Sequence, residues 1–358
     1  MQAMNDLRDR ILAAAADRRA LRIVGGGTKD FYGQSLAGEP LHTGAVRGIV
    51  SYEPTELVVT ARCGTPLAEV QAALAENGQM LAFEPPAFGE ASTIGGVVAA
   101  GLSGPRRAAA GAVRDFVLGA ALLDGAGRLQ YFGGQVMKNV AGYDVSRLLC
   151  GSLGILGVIA EVSLKVLPCP AAEATVSMTL GEADALRQLN AWAGEPLPIS
   201  ASAWHGSGLR VRFSGARAAV DAALARFQDR HGAMRLESHV AQAYWAELRD
   251  QRIDFFLATD EPLWRLSVPS SAPPIPLPGR QLIEWGGALR WFKGDLDPGR
   301  VRDAARAVGG SATLFRGRAP DVGVFDALAA PVAALHRRLK QEFDPAGIFN
   351  PGRMYAEL

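Results

Sequence analysis

Leu21-Arg22-Ile23-Val24-Gly25-Gly26-Gly27-Thr28-Lys29 reads as a short buried strand that runs straight into three consecutive glycines. Successive glycine N–H groups can point into one concavity, a nest that suits phosphate oxygens. Thr28 adds a hydroxyl and Lys29 a positive charge. The run is not a Walker loop, since G-x-x-x-x-G-K-[ST] is unmet, and Asp30 stands where G-x-G-x-x-G wants its third glycine. Taken alone, a tight turn that binds nothing explains these residues equally well. A second cluster, Ala91-Ser92-Thr93-Ile94-Gly95-Gly96-Val97-Val98-Ala99-Ala100-Gly101, shifts that balance. Gly95 and Gly96 permit close backbone approach, Ser92 and Thr93 offer hydroxyls, and Ile94 can pack on a flat ring. The alternative is a small-residue segment for helix packing.

Working outward, Asn5 can cap a helix through Arg19, with Leu7, Ile11 and Ala14 at helical spacing. A strand over 55–61 leads to Thr65 as N-cap, Pro66 at the first helical position and Leu67, Val70 and Leu74 on one face, closed by Gly78. From 83 to 168 glycine clusters alternate with β-rich runs at 117–124 and 158–167. Pro168 and Pro170 mark a boundary, placing a first domain at 1–170.

Residues 171–318 read as a second domain. Strands at 175–180, 199–205, 208–214 and 233–239 with helices at 182–193 and 216–231 follow the β-α-β-β-α-β, ferredoxin-like order. After a helix at 240–250 comes a looser second copy, with strands at 263–268, 281–285, 288–293 and 311–315 and a helix at 298–308. The two copies predict one broad antiparallel sheet with helices on one face. Residues 271–278, SAPPIPLP, read as a polyproline-type surface connector, with a lid as the alternative. The remainder, 319–358, holds a helix at 325–343 with Leu328, Val332, Leu335, Leu339 and Phe343 facing the core. Asp344-Pro345 stops it before a structured loop.

Composition narrows the function. In 358 residues, 49% hydrophobic and 20% charged describe a globular chain with a real core. Thirty-seven basic residues balance 36 acidic ones, and no dense Lys/Arg run marks a nucleic-acid surface. Cys63, Cys150 and Cys169 form no C-x-x-C pair, and three thiols fall short of the four that hold an iron–sulfur cluster. Asp6, Arg8, Asp9 and Arg10 interrupt any apolar leader, and no apolar run reaches the ~20 residues of a membrane span. These features predict a cytoplasmic chain without a metal site of its own.

The motifs together resemble the FAD-binding domain of the vanillyl-alcohol oxidase/p-cresol methylhydroxylase (PCMH) family. They are GGGT at 25–28, STIGG at 92–96, RDFVLG at 114–119 after Gly111, KNVAGYD at 138–144, GSLGILGVI at 151–159 and DPAGIFNPGR at 344–353. Within that family the chain looks most like the smaller FAD-binding subunits of bacterial glycolate oxidase complexes. The resemblance implies an α+β fold: a PCMH-type FAD-binding domain of two α/β subdomains, plus a ferredoxin-like antiparallel-sheet cap. It implies that Gly25, Gly26, Gly27, Thr28 and Lys29 hold the pyrophosphate. Thr93, Ile94, Gly95 and Gly96 would line the flavin, with Gly101 and Gly104 further along the loop. Arg114 and Asp115 would brace the site, Gly154, Gly157, Val158 and Ile159 would pass the adenosine, and Asn350 and Arg353 would return to the flavin domain.

Residues 83–115 contain neither His nor Tyr, so non-covalent FAD is expected. Leu153 and Ile155 replace the family's usual Glu and Thr. The resemblance further implies a catalytic flavin subunit and an iron–sulfur subunit as partners, a small 2-hydroxy acid as substrate, and any inner-membrane association through those partners. Oxidising a hydroxy acid needs a base and a cation for the carboxylate. Arg290, after the Gly286-Gly287 turn, is the candidate anchor; a cap ion pair is the alternative. A free-standing flavoenzyme with its base from Tyr143, Lys138 or His205, and a scaffold with a decayed flavin site, are the competing readings.

Overall fold

The computed structural model describes residues 2–134, 144–317 and 322–358. KNVAGY of the 138–144 motif, with Lys138 and Tyr143, lies outside them. The chain forms two compact units, one of residues up to 103, 112–168 and 327–358, the other of 104–111 and 169–326. The short excursion 104–111 and the return at 327 depart from the simple succession 1–170, 171–318, 319–358.

In the first unit the strand Leu21–Val24 pairs in parallel with Glu39–His42. On its other side lies the chain's tail: Leu21 bridges Phe349, its N–H donates to the Ile348 carbonyl at 2.7 Å, and its carbonyl accepts from the Asn350 N–H at 2.8 Å. The helix Gln2–Asp17 covers this layer with Leu7, Ile11 and Ala14, packed beside Leu41, Ile348 and Phe349. Each large apolar side chain so buried contributes roughly 1.5–3 kcal/mol. A five-stranded antiparallel sheet follows, in the order 49–53, 58–62, 158–165, 117–123, 129–133. Its central strand Val158–Lys165 is buried at six of eight positions, as a strand covered on both faces must be.

Several expectations shift. The first helix starts at Gln2, so Asn5 lies inside it. The strand expected at 55–61 is Val58–Arg62, because residues 54–57 turn, with Leu57 at φ 57°. Thr65 does not cap the next helix; its hydroxyl binds the Gly48 backbone, and Pro66 is the N-cap of Leu67–Ala75. Gly78, at φ 62°, sits two residues beyond the C-cap Glu76. Strands 39–42, 49–53 and 129–133 had no expectation.

The second unit is one eight-stranded sheet, antiparallel at every pairing. Its first copy runs 234–235, 172–179, 208–215, 199–205, the 4-1-3-2 order of a ferredoxin-like fold; the second runs 280–284, 289–293, 263–267, 311–316, the same order reversed. The copies join edge to edge through Ala203↔Glu284, Trp204↔Ile283 and His205↔Leu282. The first copy's core packs Val176, Val211 and Phe213 against Leu189, Trp192 and Phe227 of its helices Glu182–Ala193 and Arg217–His231. The second copy keeps one helix, Pro298–Ala307; the loop 268–279 takes the chain position of the other and lends Ala272 and Ile275 to the core of Trp264, Leu266 and Phe292. The strand expected at 233–239 shrinks to Met234–Arg235, since the helix Ser238–Arg249 begins at once. Helices also cover both faces rather than one. Thr175 alternates with the core residue Val176 and points the opposite way, and there it accepts from the Trp245 indole of Ser238–Arg249 at 2.9 Å.

The C-terminal helix is Ala330–Phe343, with Pro331 in its first turn, rather than 325–343. Only Lys340 and Phe343 are buried. Val332 and Leu335, expected in the core, are 43% and 56% exposed.

Candidate functional site

In the first unit the glycine runs meet at a groove. Two adjoining cavities share Ile23, Gly25, Gly96, Ala99, Leu153 and Asn350 as walls; one extends to Gly26, Gly27, Thr28, Lys29, Thr93 and Arg353, the other to Gly95, Gly154, Gly157, Val158 and Ile159. The groove has glycine walls because nothing larger fits. A Cβ on Gly26 would lie 1.5 Å from the Ala91 carbonyl oxygen, and one on Gly25 2.6 Å from Thr93 Oγ1. Gly27 takes φ 71°, the left-handed region that favours glycine. Among the described residues, no hydrogen bond takes the amide N–H of Gly25, Gly26, Gly27 or Thr28. A run of unused donors at the end of a strand is the chemistry of an anion cradle.

Lys29 ties the two glycine clusters together. Its ammonium donates to Ser92 Oγ at 2.8 Å, the Ala87 carbonyl at 3.2 Å and Thr28 Oγ1 at 3.3 Å, placing a positive charge at the groove wall. Thr93 caps the helix Ile94–Ala100 by accepting from the Gly96 N–H at 3.3 Å. That helix rests on Cys63: a Cβ on Gly95 would lie 2.7 Å from Cys63 Cβ. Burial pushes the Cys63 thiol up to about 12, so it stays protonated and acts as a small apolar wall.

The tail locks the groove from behind. Asn350 Oδ1 accepts from the Ile23 N–H at 2.8 Å while its Nδ2 donates to the Leu153 carbonyl at 2.6 Å, joining the first strand to the 151–159 loop. Arg353 donates to the carbonyls of Asp30, Tyr32 and Gln34. Lys340, buried, donates to Asp344 Oδ2 at 2.7 Å and to the carbonyls of Ile155 and Phe349 at 2.8 and 2.6 Å. Asp344 in turn accepts from the N–H groups of Ile348 and Phe349 at 3.0 and 2.7 Å. Desolvation lowers the Lys340 pKa, and Asp344 offsets part of that shift.

Thus Gly25, Gly26, Gly27, Thr28, Lys29, Thr93, Gly95, Gly96, Gly154, Gly157, Val158, Ile159, Asn350 and Arg353 line one groove. Five expected residues do not. Ile94 is fully buried in the core. Gly101 is the left-handed C-cap of the helix Ile94–Ala100, where a Cβ would lie 2.8 Å from Gly151 backbone. Gly104 belongs to the second unit, where its carbonyl accepts from the Trp285 indole at 3.1 Å. Arg114 is exposed, 3.9 Å from Asp115, and Asp115 accepts from the Ala112 N–H at 2.8 Å, so both serve a local turn. Leu153, which replaces the family's usual Glu, also lines the groove, and so do Ile23, Asp30, Leu36, Thr43, Cys63, Ala99 and Ala100, which were not anticipated there. Ile23 was within reach, two residues before Gly25 on the strand; Thr43 and Cys63 carried no signal.

The expected carboxylate anchor is placed otherwise. Arg290 is fully buried under the proline-rich loop, with Nε donating to the Gly287 carbonyl at 2.6 Å and Nη2 to that of Ala272 at 2.9 Å; Nη1 stands 3.8 Å from Glu182. Burial lowers its pKa to about 10, and Glu182 opposes the shift. It therefore pins the loop to the sheet as a cation. His205, at a strand end, has its pKa lowered by desolvation and then by Arg210 and Arg280, which leaves it neutral at pH 7. Among the described residues no group of His, Cys, Asp and Glu could hold a metal ion, and no helix is long and apolar enough to cross a membrane.

Residues 2–133 match the FAD binding domain family. Over 97% of its length the chain superposes on 75% of alkyldihydroxyacetonephosphate synthase with a TM-score of 0.67 at 16% identity, a likeness of fold. Glycine-walled groove, antiparallel cap sheet and these matches define an FAD-binding oxidoreductase of the PCMH type. The chain is 47% identical over 352 residues, 98% of its length and 97% of the relative's, to the glycolate oxidase subunit GlcE of Escherichia coli, and it belongs to that family. It is also 31% identical over 140 residues to the glycolate oxidase subunit GlcD of Bacillus subtilis, a match spanning 39% of this chain and 30% of that one.

Proposed function

We propose that this chain is the FAD-binding subunit of a multi-subunit glycolate oxidase. It would hold FAD without a covalent bond and support oxidation of glycolate or a similar 2-hydroxy acid, with electrons leaving through an iron–sulfur partner. The observation that carries the reading is the full-length identity to a protein named as a subunit, 47% over 98% of the chain. The groove agrees with it. The four unused N–H groups of residues 25–28 suit pyrophosphate oxygens, and Lys29 supplies a positive charge beside them. Bound FAD supplies a ring able to take up the two electrons of a hydroxy-acid oxidation and release them one at a time. The chain's own part is to bind and orient: Gly95 and Gly96 let a flat ring approach the backbone, and Gly154 and Gly157 admit an adenosine end. No His or Tyr between 83 and 115 offers a covalent attachment. With only three cysteines, the chain cannot supply the four thiolates of a cluster itself.

The test is the visible spectrum of the purified chain, before and after anaerobic glycolate, alone and after co-expression with a larger flavin subunit and an iron–sulfur subunit. Flavin bands released by acid, with glycolate bleaching only in the co-expressed assembly, are expected. A chain that takes up no flavin after soaking with FAD overturns the cofactor assignment. Full-rate turnover by the lone chain overturns the subunit assignment.

A further inference from the structure

The two copies of the second unit part at one point, and a cavity opens there. Their edge strands pair as far as His205↔Leu282; past that register the first strand turns away at Gly206 while Gln281 and Arg280 run on. The gap holds a cavity of about 550 Å³, inside the roughly 300–1,000 Å³ range of small-molecule sites. Side chains alternate across a strand. Gln281 lies opposite Phe292, which packs in one core with Ile275, so Gln281 and Trp204 face the connector 268–279. Pro274, Pro276 and Leu277 of the connector line the cavity above them. His205 and Arg280 point to the opposite face, beside Phe255.

Polar groups stand at the two ends. On the connector side Glu182 Oε1 lies 3.8 Å from Nη1 of the buried Arg290, and among the described residues no donor reaches the Glu182 carboxylate. It is an acceptor whose charge is already offset, which suits a hydroxyl and gives a cation little advantage. On the other side the Arg280 guanidinium lies 5.5 Å over the Phe255 ring and donates to the Asp254 carbonyl at 3.4 Å. Desolvation, then Arg210 and Arg280, lower the His205 pKa, against Asp254 alone, so this end carries net positive charge. Between the ends the walls are aromatic rings and prolines.

We propose that this cavity binds a small aromatic carboxylate bearing a hydroxyl at its far end. The carboxylate pairs with Arg280, the ring packs on Trp204 and Phe255, and the hydroxyl donates to Glu182. The site needs neither flavin nor a partner subunit, so its fate is separate from the subunit reading.

The test titrates the full chain calorimetrically with 4-hydroxyphenylacetate. Tyrosol and tyramine replace the carboxylate end by a neutral and a cationic one, and phenylacetate lacks the hydroxyl. Arg280 is exposed, so Arg280→Gln should leave Tm in place and localises the binding. Saturable binding of 4-hydroxyphenylacetate by wild type is expected, at least tenfold weaker for each of the other three compounds and for Arg280→Gln. No saturable binding at millimolar concentration overturns the proposal, and so does an Arg280→Gln chain that binds as tightly as wild type. Tyrosol or tyramine bound as tightly would remove the anionic end, and phenylacetate bound as tightly would remove Glu182; either sinks it. Should Arg280→Gln lower Tm, the four compounds on wild type decide.

Discussion

Replacing Asp344 with asparagine changes one charge at nearly constant volume, and the structure says what that single change does. Three donors converge on the carboxylate: the Lys340 ammonium and the N–H groups of Ile348 and Phe349, at 2.7, 3.0 and 2.7 Å. Asparagine keeps one acceptor oxygen and turns an NH2 toward donors, while the buried Lys340 loses its counter-charge. Removing one partner of a buried pair costs about 3–5 kcal/mol, because the other charge is left uncompensated. Against a total stability of about 5–15 kcal/mol this is a large fraction. For a unit of this size 1 kcal/mol moves Tm by about 2–4 °C, so Asp344→Asn lowers Tm by about 6–20 °C in a reversible calorimetric scan. The double variant Lys340→Met/Asp344→Leu removes both charges and is expected to lose clearly less than the two single variants summed. An Asp344→Asn chain within about 1 kcal/mol of wild type, or a strictly additive double variant, refutes the reasoning.

Gly26→Ala drives a methyl into the Ala91 carbonyl, so the strand end must move; the purified variant is expected to lose its flavin bands while a far-ultraviolet dichroism spectrum stays that of wild type. Ile275→Ala empties a position in the second copy's core and should cost about 2–5 kcal/mol in urea unfolding; a loss below about 0.5 kcal/mol would show the proline loop to be a mere surface connector. His205 and His231 both have lowered pKa values, with desolvation the leading cause. Between the folded and unfolded pKa values the unfolded chain binds more protons, so stability rises with pH up to the ordinary histidine range and then levels. His205→Gln should flatten part of that slope just below the ordinary histidine pKa of about 6.5; a variant with the wild-type slope removes His205 from the account.

The glycine runs at 25–27 and 95–96 were legible because close approach leaves a chemical mark: only glycine fits beside Ala91, Thr93 and Cys63. The strands and helices of the second unit were legible to within a residue or two at most ends, since their apolar periods are strong. Arg114 and Asp115 misled because a charged pair inside a glycine-rich motif can serve a turn as readily as a ligand. Arg290 misled similarly: a buried arginine satisfies backbone carbonyls as well as it satisfies a substrate. The part played by residues 268–279 in filling the second copy's core depends on strand order, which is set by pairings far apart in sequence and leaves no local trace. Val332 and Leu335 show the opposite failure, an apolar stripe taken for core because periodicity reports that a face wants burial and not what buries it.

The tail's place beside Leu21 has a consequence for synthesis. The first strand waits for Phe349 and Asn350 to complete its layer, and Asn350 is also what joins that strand to the 151–159 loop. Neither neighbour exists while the ribosome is still adding the intervening three hundred-odd residues. The first layer of the nascent first unit therefore cannot be completed until Phe349 and Asn350 have been made. A fragment lacking the last dozen residues would keep every glycine of its groove and lose the Asn350 and Arg353 contacts that brace it from behind.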